Sequence, residues 1–190
     1  MALEPSSIES FPGLPTPSAY APDLEAMLPA VVGDVPLTRF SAPASLYDAG
    51  GDICSLLCPG EPTRLAQAAG VAVTELTVGV AYPAQGTTFR AAVIAVRFDG
   101  LDPNRSPVEV RVKAGGHTTP FEVNGLRART TRLEVGTRTV TWVTWPPAYK
   151  EEQGEYLLSS GNVLFIVAGL PPAKDGKVPD DIRLLIEALP

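Results

Sequence analysis

Six consecutive residues, Ala91 to Val96, carry no polar side chain, and Arg90 and Arg97 bracket them within FRAAVIAVRFDG, Phe89–Gly100. A run this short cannot span a bilayer, and its β-branched content points to a strand buried on both faces. Immediately upstream, Glu75–Tyr82 alternates strictly, with Leu76, Val78, Val80 and Tyr82 on one face. Pro83–Thr88 supplies turn residues between the two segments, so the pair predicts a hairpin at the centre of a sheet.

The same reading extends along the chain. Pro22–Leu28 predicts a short helix capped by Asp23, and Gly33-Asp34 a turn into a strand over 35–40. Residues 41–60 read as irregular, with one helical turn after Asp52. Thr63–Ala69 followed by Gly70 predicts a two-turn helix closed by a left-handed glycine. Val108–Lys113 alternates three valines with three charges and predicts a half-exposed antiparallel strand. Two further strands, Phe121–Val135 and Arg138–Trp145, flank the Gly136-Thr137 turn. Apolar parity shifts between Leu126/Ala128 and Leu133/Val135, which predicts a bulge near Thr130-Thr131. Glu155–Ser159 and Val163–Ala168 read as a second hairpin with a buried return strand. Asp180 or Asp181 opens a last helix whose Ile182, Leu185, Ile186 and Leu189 form one apolar stripe.

These elements define an α+β fold: a mostly antiparallel sheet of six to eight strands with three or four short helices, including a C-terminal amphipathic helix. Val32–Arg39 and Val123–Arg129 each read as a turn opening a strand, and each precedes a hairpin with one buried strand, a hint of internal duplication. Residues 1–22 hold five prolines among Ser, Ala and Thr and form a tail before a single domain over 23–190. Ile8, Phe11, Leu14 and Tyr20 within that tail suit it to docking on a protein partner or on its own domain.

The 45% apolar and 19% charged residues are those of a folded chain, and the net charge of −6 argues against a nucleic-acid or anionic-membrane surface. No run reaches the ~18 apolar residues of a transmembrane segment. MALEPSSIESFPG has neither a basic nor an apolar signal region, so the chain reads as cytoplasmic as written, or as exported if a leader was removed. A C-terminal helix ending Ala188-Leu189-Pro190 behind such strands resembles exported bacterial domains, which implies an envelope setting as the alternative.

Candidate chemistry is sparse. His117 is the one histidine, in the loop Ala114–Pro120, so it is the sole acid–base candidate for catalysis, and no Gly-x-Ser-x-Gly elbow accompanies it. Cys54 and Cys58 in CSLLC have metal-ligand spacing and could join His117 around zinc; two small buried hydrophobes is the preferred reading, with a disulfide second. Asp48–Asp52 and Asp99–Asn104 lack the EF-hand pattern and read as turns. Arg127, Arg129, Arg132 and Arg138 are the basic concentration, able to bind carboxylates of a partner or to pair with nearby Glu residues. Trp142 and Trp145 lie three apart and so face opposite sides of a strand. Arg138 shares the parity of Trp142, which makes Trp142 the expected exposed ring and Trp145 the buried one. The expectation is a non-catalytic binding or structural protein, without a cofactor, that contacts a protein partner or itself through the tail and through Trp142, Arg127, Arg129 and Arg138. An enzyme built on His117 is the rival.

Overall fold

The computed structural model describes residues 20–48, 60–84, 87–89, 91–115, 128–144, 154–169, 171–173 and 176–190. Among the described residues eight strands form one sheet in the order β1-β2-β3-β4-β8-β7-β6-β5, every neighbouring pair antiparallel. They are β1 (Val31–Val32), β2 (Val35–Pro43), β3 (Leu76–Pro83), β4 (Ala92–Phe98), β5 (Arg129–Val135), β6 (Arg138–Thr144), β7 (Gly154–Ser160) and β8 (Val163–Ala168). The apolar run is indeed the middle of the sheet. β4 lies between β3 and β8, and Val93, Ile94, Ala95 and Val96 are all buried.

Among the described residues five α-helices cover the sheet on both faces. Helices α1 (Pro22–Ala26) and α5 (Asp180–Glu187) lie on one side; α2 (Ser45–Asp48), α3 (Glu61–Ala69) and α4 (Pro107–Ala114) lie on the other. Strand alternation sorts the core accordingly. Val93, Ala95, Phe165 and Val167 meet α1 and α5, whereas Ile94, Val96, Leu164 and Ile166 meet the α3–α4 layer. The α5 stripe works as its spacing requires, with Ile182, Leu185, Ile186 and Leu189 all buried. Gly79 gives α1 its seat: a Cβ there would come within 3.2 Å of both Leu24 and Leu28. The α+β class holds; among the described residues no helix is long and apolar enough to cross a membrane.

Two sequence expectations fail for physical reasons. Residues 108–113 are helix α4, not a strand. Pro107 sits in its first turn, Glu109 lies near its N-terminus, and Arg111 and Lys113 fall in the last turn, all favourable to a helix. Val108 and Val112 stay half-buried on one flank while Pro107, Val110 and Arg111 face inward, so an alternating pattern was satisfied by a helix that buries a charge. Nor is there a bulge in β5, since its register with β6 runs unbroken from Arg129↔Thr144 to Val135↔Arg138. The parity shift arises because Ala128 packs against the α3–α4 side, while Leu133 and Val135 pack against the α1–α5 side.

Smaller differences concern boundaries. The strand expected over 35–40 continues to Pro43, and a helical turn follows at Ser45. Buried structure begins inside the stretch assigned to the tail, because Ala21 is buried and its N–H donates to Ser41 Oγ at 2.7 Å. Asp23 caps nothing; it lies in the first turn of α1 and pairs with Arg97 at 2.6 Å. Residues 123–127 of the hinted duplication lie outside the described residues. The strand order is mirrored about the β4–β8 junction, and Gly33 and Gly136, at φ 57° and 61°, make the matching two-residue turns that lead into β2 and β6.

Candidate functional site

The residues expected to form a binding surface separate. Trp142 is 7% exposed, not the outward ring that its parity with Arg138 suggested. It faces the α1–α5 side and packs on Tyr156 with ring centroids 4.5 Å apart. Gly154 makes this possible: a Cβ there would lie 2.6 Å from the Val143 carbonyl oxygen and would also run into the Trp142 ring. Arg138, on the same face, does not repel the indole from the core because its guanidinium is spent elsewhere. It donates to the main-chain oxygens of Leu189 and, at 2.7 Å, Pro190, and so anchors the segment after α5. Arg129 is exposed at the start of β5. Arg127, His117, Cys54, Cys58 and Trp145 lie outside the described residues, so the zinc, disulfide and acid–base readings that use them do too.

The most concentrated chemistry is buried. Arg111 sits on α4 at 1% side-chain exposure between Glu61 of α3 and Glu155 of β7. Its Nε and Nη2 donate to the two carboxylate oxygens of Glu155 at 2.9 and 2.7 Å, and its Nη1 lies 2.5 Å from Glu61 Oε1. Burial works against the guanidinium charge, but the Glu155 and Glu61 carboxylates outweigh it and hold the Arg111 pKa above the ordinary arginine value. The cluster fastens α3, α4 and β7 together, and its groups are turned to one another rather than outward. Nearby, burial alone pushes the Tyr47 phenol above its usual pKa. The Asp99–Asn104 stretch is turn chemistry as expected: Asp102 Oδ1 accepts from the Asn104 main-chain N–H at 2.9 Å, and Asp99 pairs with Arg97. Among the described residues no group of three His, Cys, Asp or Glu side chains could hold a metal ion.

What the structure leaves accessible is the β5 end of the sheet. Helix α4 stops short of β5 and β6, and an open groove of about 870 Å³ lies beside it. Its walls include Lys113 of α4, Thr130 and Arg132 of β5, Thr139 and Thr141 of β6, and Leu157 of β7. Cross-strand register places Arg132 opposite Thr141 and Glu134 opposite Thr139, whose hydroxyl donates to Glu134 at 3.0 Å. No described carboxylate pairs with Arg129 or Arg132.

β5 is also a terminal strand of the sheet, and Arg129, Thr130, Thr131 and Arg132 are exposed. A two-residue hairpin makes Val135 and Arg138 a hydrogen-bonded pair, so the alternate residues Thr130, Arg132 and Glu134 direct their N–H and C=O groups away from β6. The opposite edge is blunted: β1 is two residues long, and β2 behind it carries Pro36 and Pro43. β5 has no proline and no bulge.

No family model, curated protein or solved structure matches this chain.

Sequence reasoning found the arginines of β5 but missed the triad, because Arg111 was counted among the outward charges of a strand. The signal was present in Ser106-Pro107, a helix-start pair that competes with the alternation. The open edge was not visible either, since strand order depends on how the two hairpins associate.

Proposed function

We propose that this protein is a non-catalytic binding or assembly module that takes up an extended protein segment along the edge of β5. One observation carries the reading: a seven-residue terminal strand with outward main-chain groups, two arginines without a described partner, and neither a proline nor a bulge. Strand addition of this kind draws its affinity from main-chain hydrogen bonds and its selectivity from alternate side chains. Arg132, together with Lys113 across the groove, favours acidic residues at alternate positions of the guest. The proline-rich tail remains the second expected contact; residues 1–19 lie outside the described part of the chain.

The test uses a synthetic peptide alternating Val and Glu and two variants, Arg132→Pro and Arg132→Ala. Arg132→Pro removes an outward N–H without touching the β6 ladder, and should abolish binding while leaving the unfolding transition cooperative. Arg132→Ala should weaken binding and flatten its salt dependence. Equal affinity of the wild type and Arg132→Pro for the peptide would overturn the reading.

A further inference from the structure

We infer that the natural occupant of the β5 edge is the same edge of a second copy of this chain, joined antiparallel about a two-fold axis through Leu133. The inference rests on the edge-docking reading above and adds the identity of the partner.

Only three residues of β5 offer outward main-chain groups, and an antiparallel ladder must match outward groups with outward groups. For two identical strands related by a two-fold axis, the pairing is therefore restricted to a few registers. Centring on Thr131 sets Arg132 against Thr130 of the other copy and leaves Glu134 without a charged partner. Centring on Arg132 sets the two guanidiniums directly opposite each other on one face, which is repulsive. Centring on Leu133 sets Arg132 against Glu134 of the second copy, and Glu134 against its Arg132. That register makes two symmetry-related ion pairs and exchanges main-chain bonds at both.

Side-chain direction agrees with this choice. Arg132 and Glu134 share the face beside α4, where, among the described residues, Arg132 has no carboxylate partner and Glu134 accepts from Thr139 alone. Leu133 is half-buried on the opposite face, against Val135 and the α5 layer, so the two leucines meet at the axis on the apolar side. Paired this way, the sheets continue through the interface and the grooves beside the two α4 helices lie on one face. The interface is isologous, as a closed dimer requires. A ladder this short is a small interface, so the dimer is of the weak, exchanging kind, with dissociation constants in the micromolar range or above.

Sedimentation velocity over a wide concentration range tests the proposal. The wild type should pass from monomer to dimer, and Arg132→Pro should remain monomeric. Arg132→Glu and Glu134→Arg should each raise the dissociation constant at least about tenfold, since each replaces two attractive pairs with two repulsive ones. The decisive measurement is their mixture. One copy then presents two acidic positions and the other two basic ones, so a heterodimer tighter than either homodimer is expected. A wild type that stays monomeric throughout, or a mixture that associates no better than its components, overturns the second-copy inference. If the Val-Glu peptide still binds in that case, the edge-docking reading survives; if neither associates, both are lost.

Discussion

Replacing Arg111 with methionine probes the buried triad most directly. The substitution keeps much of the side-chain volume but takes the guanidinium away from Glu61 and Glu155, Glu61 at 1% side-chain exposure and Glu155 at 10%. Removing one partner from a buried ion cluster costs about 3–5 kcal/mol, out of a total stability of roughly 5–15 kcal/mol for a domain. For a chain of this size that is a fall in Tm of roughly 6–20 °C. Replacing all three residues together, as Glu61→Leu, Arg111→Met and Glu155→Leu, should recover most or all of the loss, because apolar groups of similar volume carry no desolvation penalty. Denaturant unfolding at pH 7, read as midpoint shifts at constant slope, measures each effect. An Arg111→Met variant within about 1 kcal/mol of the wild type at pH 7 would refute the reasoning. A triple variant as unstable as the single one would show that packing, not charge, sets the cost.

Two further outcomes follow from the aromatic core. With Trp145 replaced by phenylalanine, the remaining Trp142 fluorescence should be blue-shifted and resistant to acrylamide, and Trp142→Ala should cost about 3–5 kcal/mol; a readily quenched Trp142 contradicts its packing on Tyr156 over Gly154. Burial pushes the phenols of Tyr47 and Tyr156 above their ordinary value of 10.0, so each stabilises the fold below that pH and withdraws its contribution as pH rises beyond it. An alkaline absorbance titration should show these two of the five tyrosines ionising only as the protein unfolds; free ionisation of all five before unfolding would refute it.

How much of this was legible in the sequence depends on whether a residue's environment is local. β4 could be read directly, because a strand buried on both faces has no polar side and Ala91–Val96 has none. The α5 stripe and the Gly70 and Gly136 turns were legible for the same reason: spacing and backbone conformation fix them within a few residues. Trp142 was misplaced because its neighbour Arg138 looked like a marker of solvent. That guanidinium instead meets carbonyls some fifty positions away, a contact that no local pattern encodes. Arg39 and Arg105 behave alike, reaching from a strand and a loop to the main-chain oxygens of Glu25 in α1 and Leu28 just after it, and of Ala68 and Ala69 in α3. Arginine placement in this fold answers to distant helix ends. A sequence-based rule that reads every charge as solvent-facing therefore fails repeatedly here, and it failed at Arg111 as well.

The junction of β4 with β8 has a consequence for how the protein comes into being. A ribosome that has completed β2, β3 and β4 has made three strands of a meander whose last member is the most apolar segment in it. Its true neighbour, Val163–Ala168, is not yet synthesised. Until it is, Val93, Ile94, Ala95 and Val96 border an unpaired edge, the situation in which nascent chains associate with one another or call on a chaperone. Local hairpins can form early, but the sheet cannot close until nearly the whole chain has emerged, so its assembly is limited by distant pairing rather than by local propensity. A circular permutant opened between β4 and β5 would have β8 already made when β4 emerges, and so would remove that wait for β4.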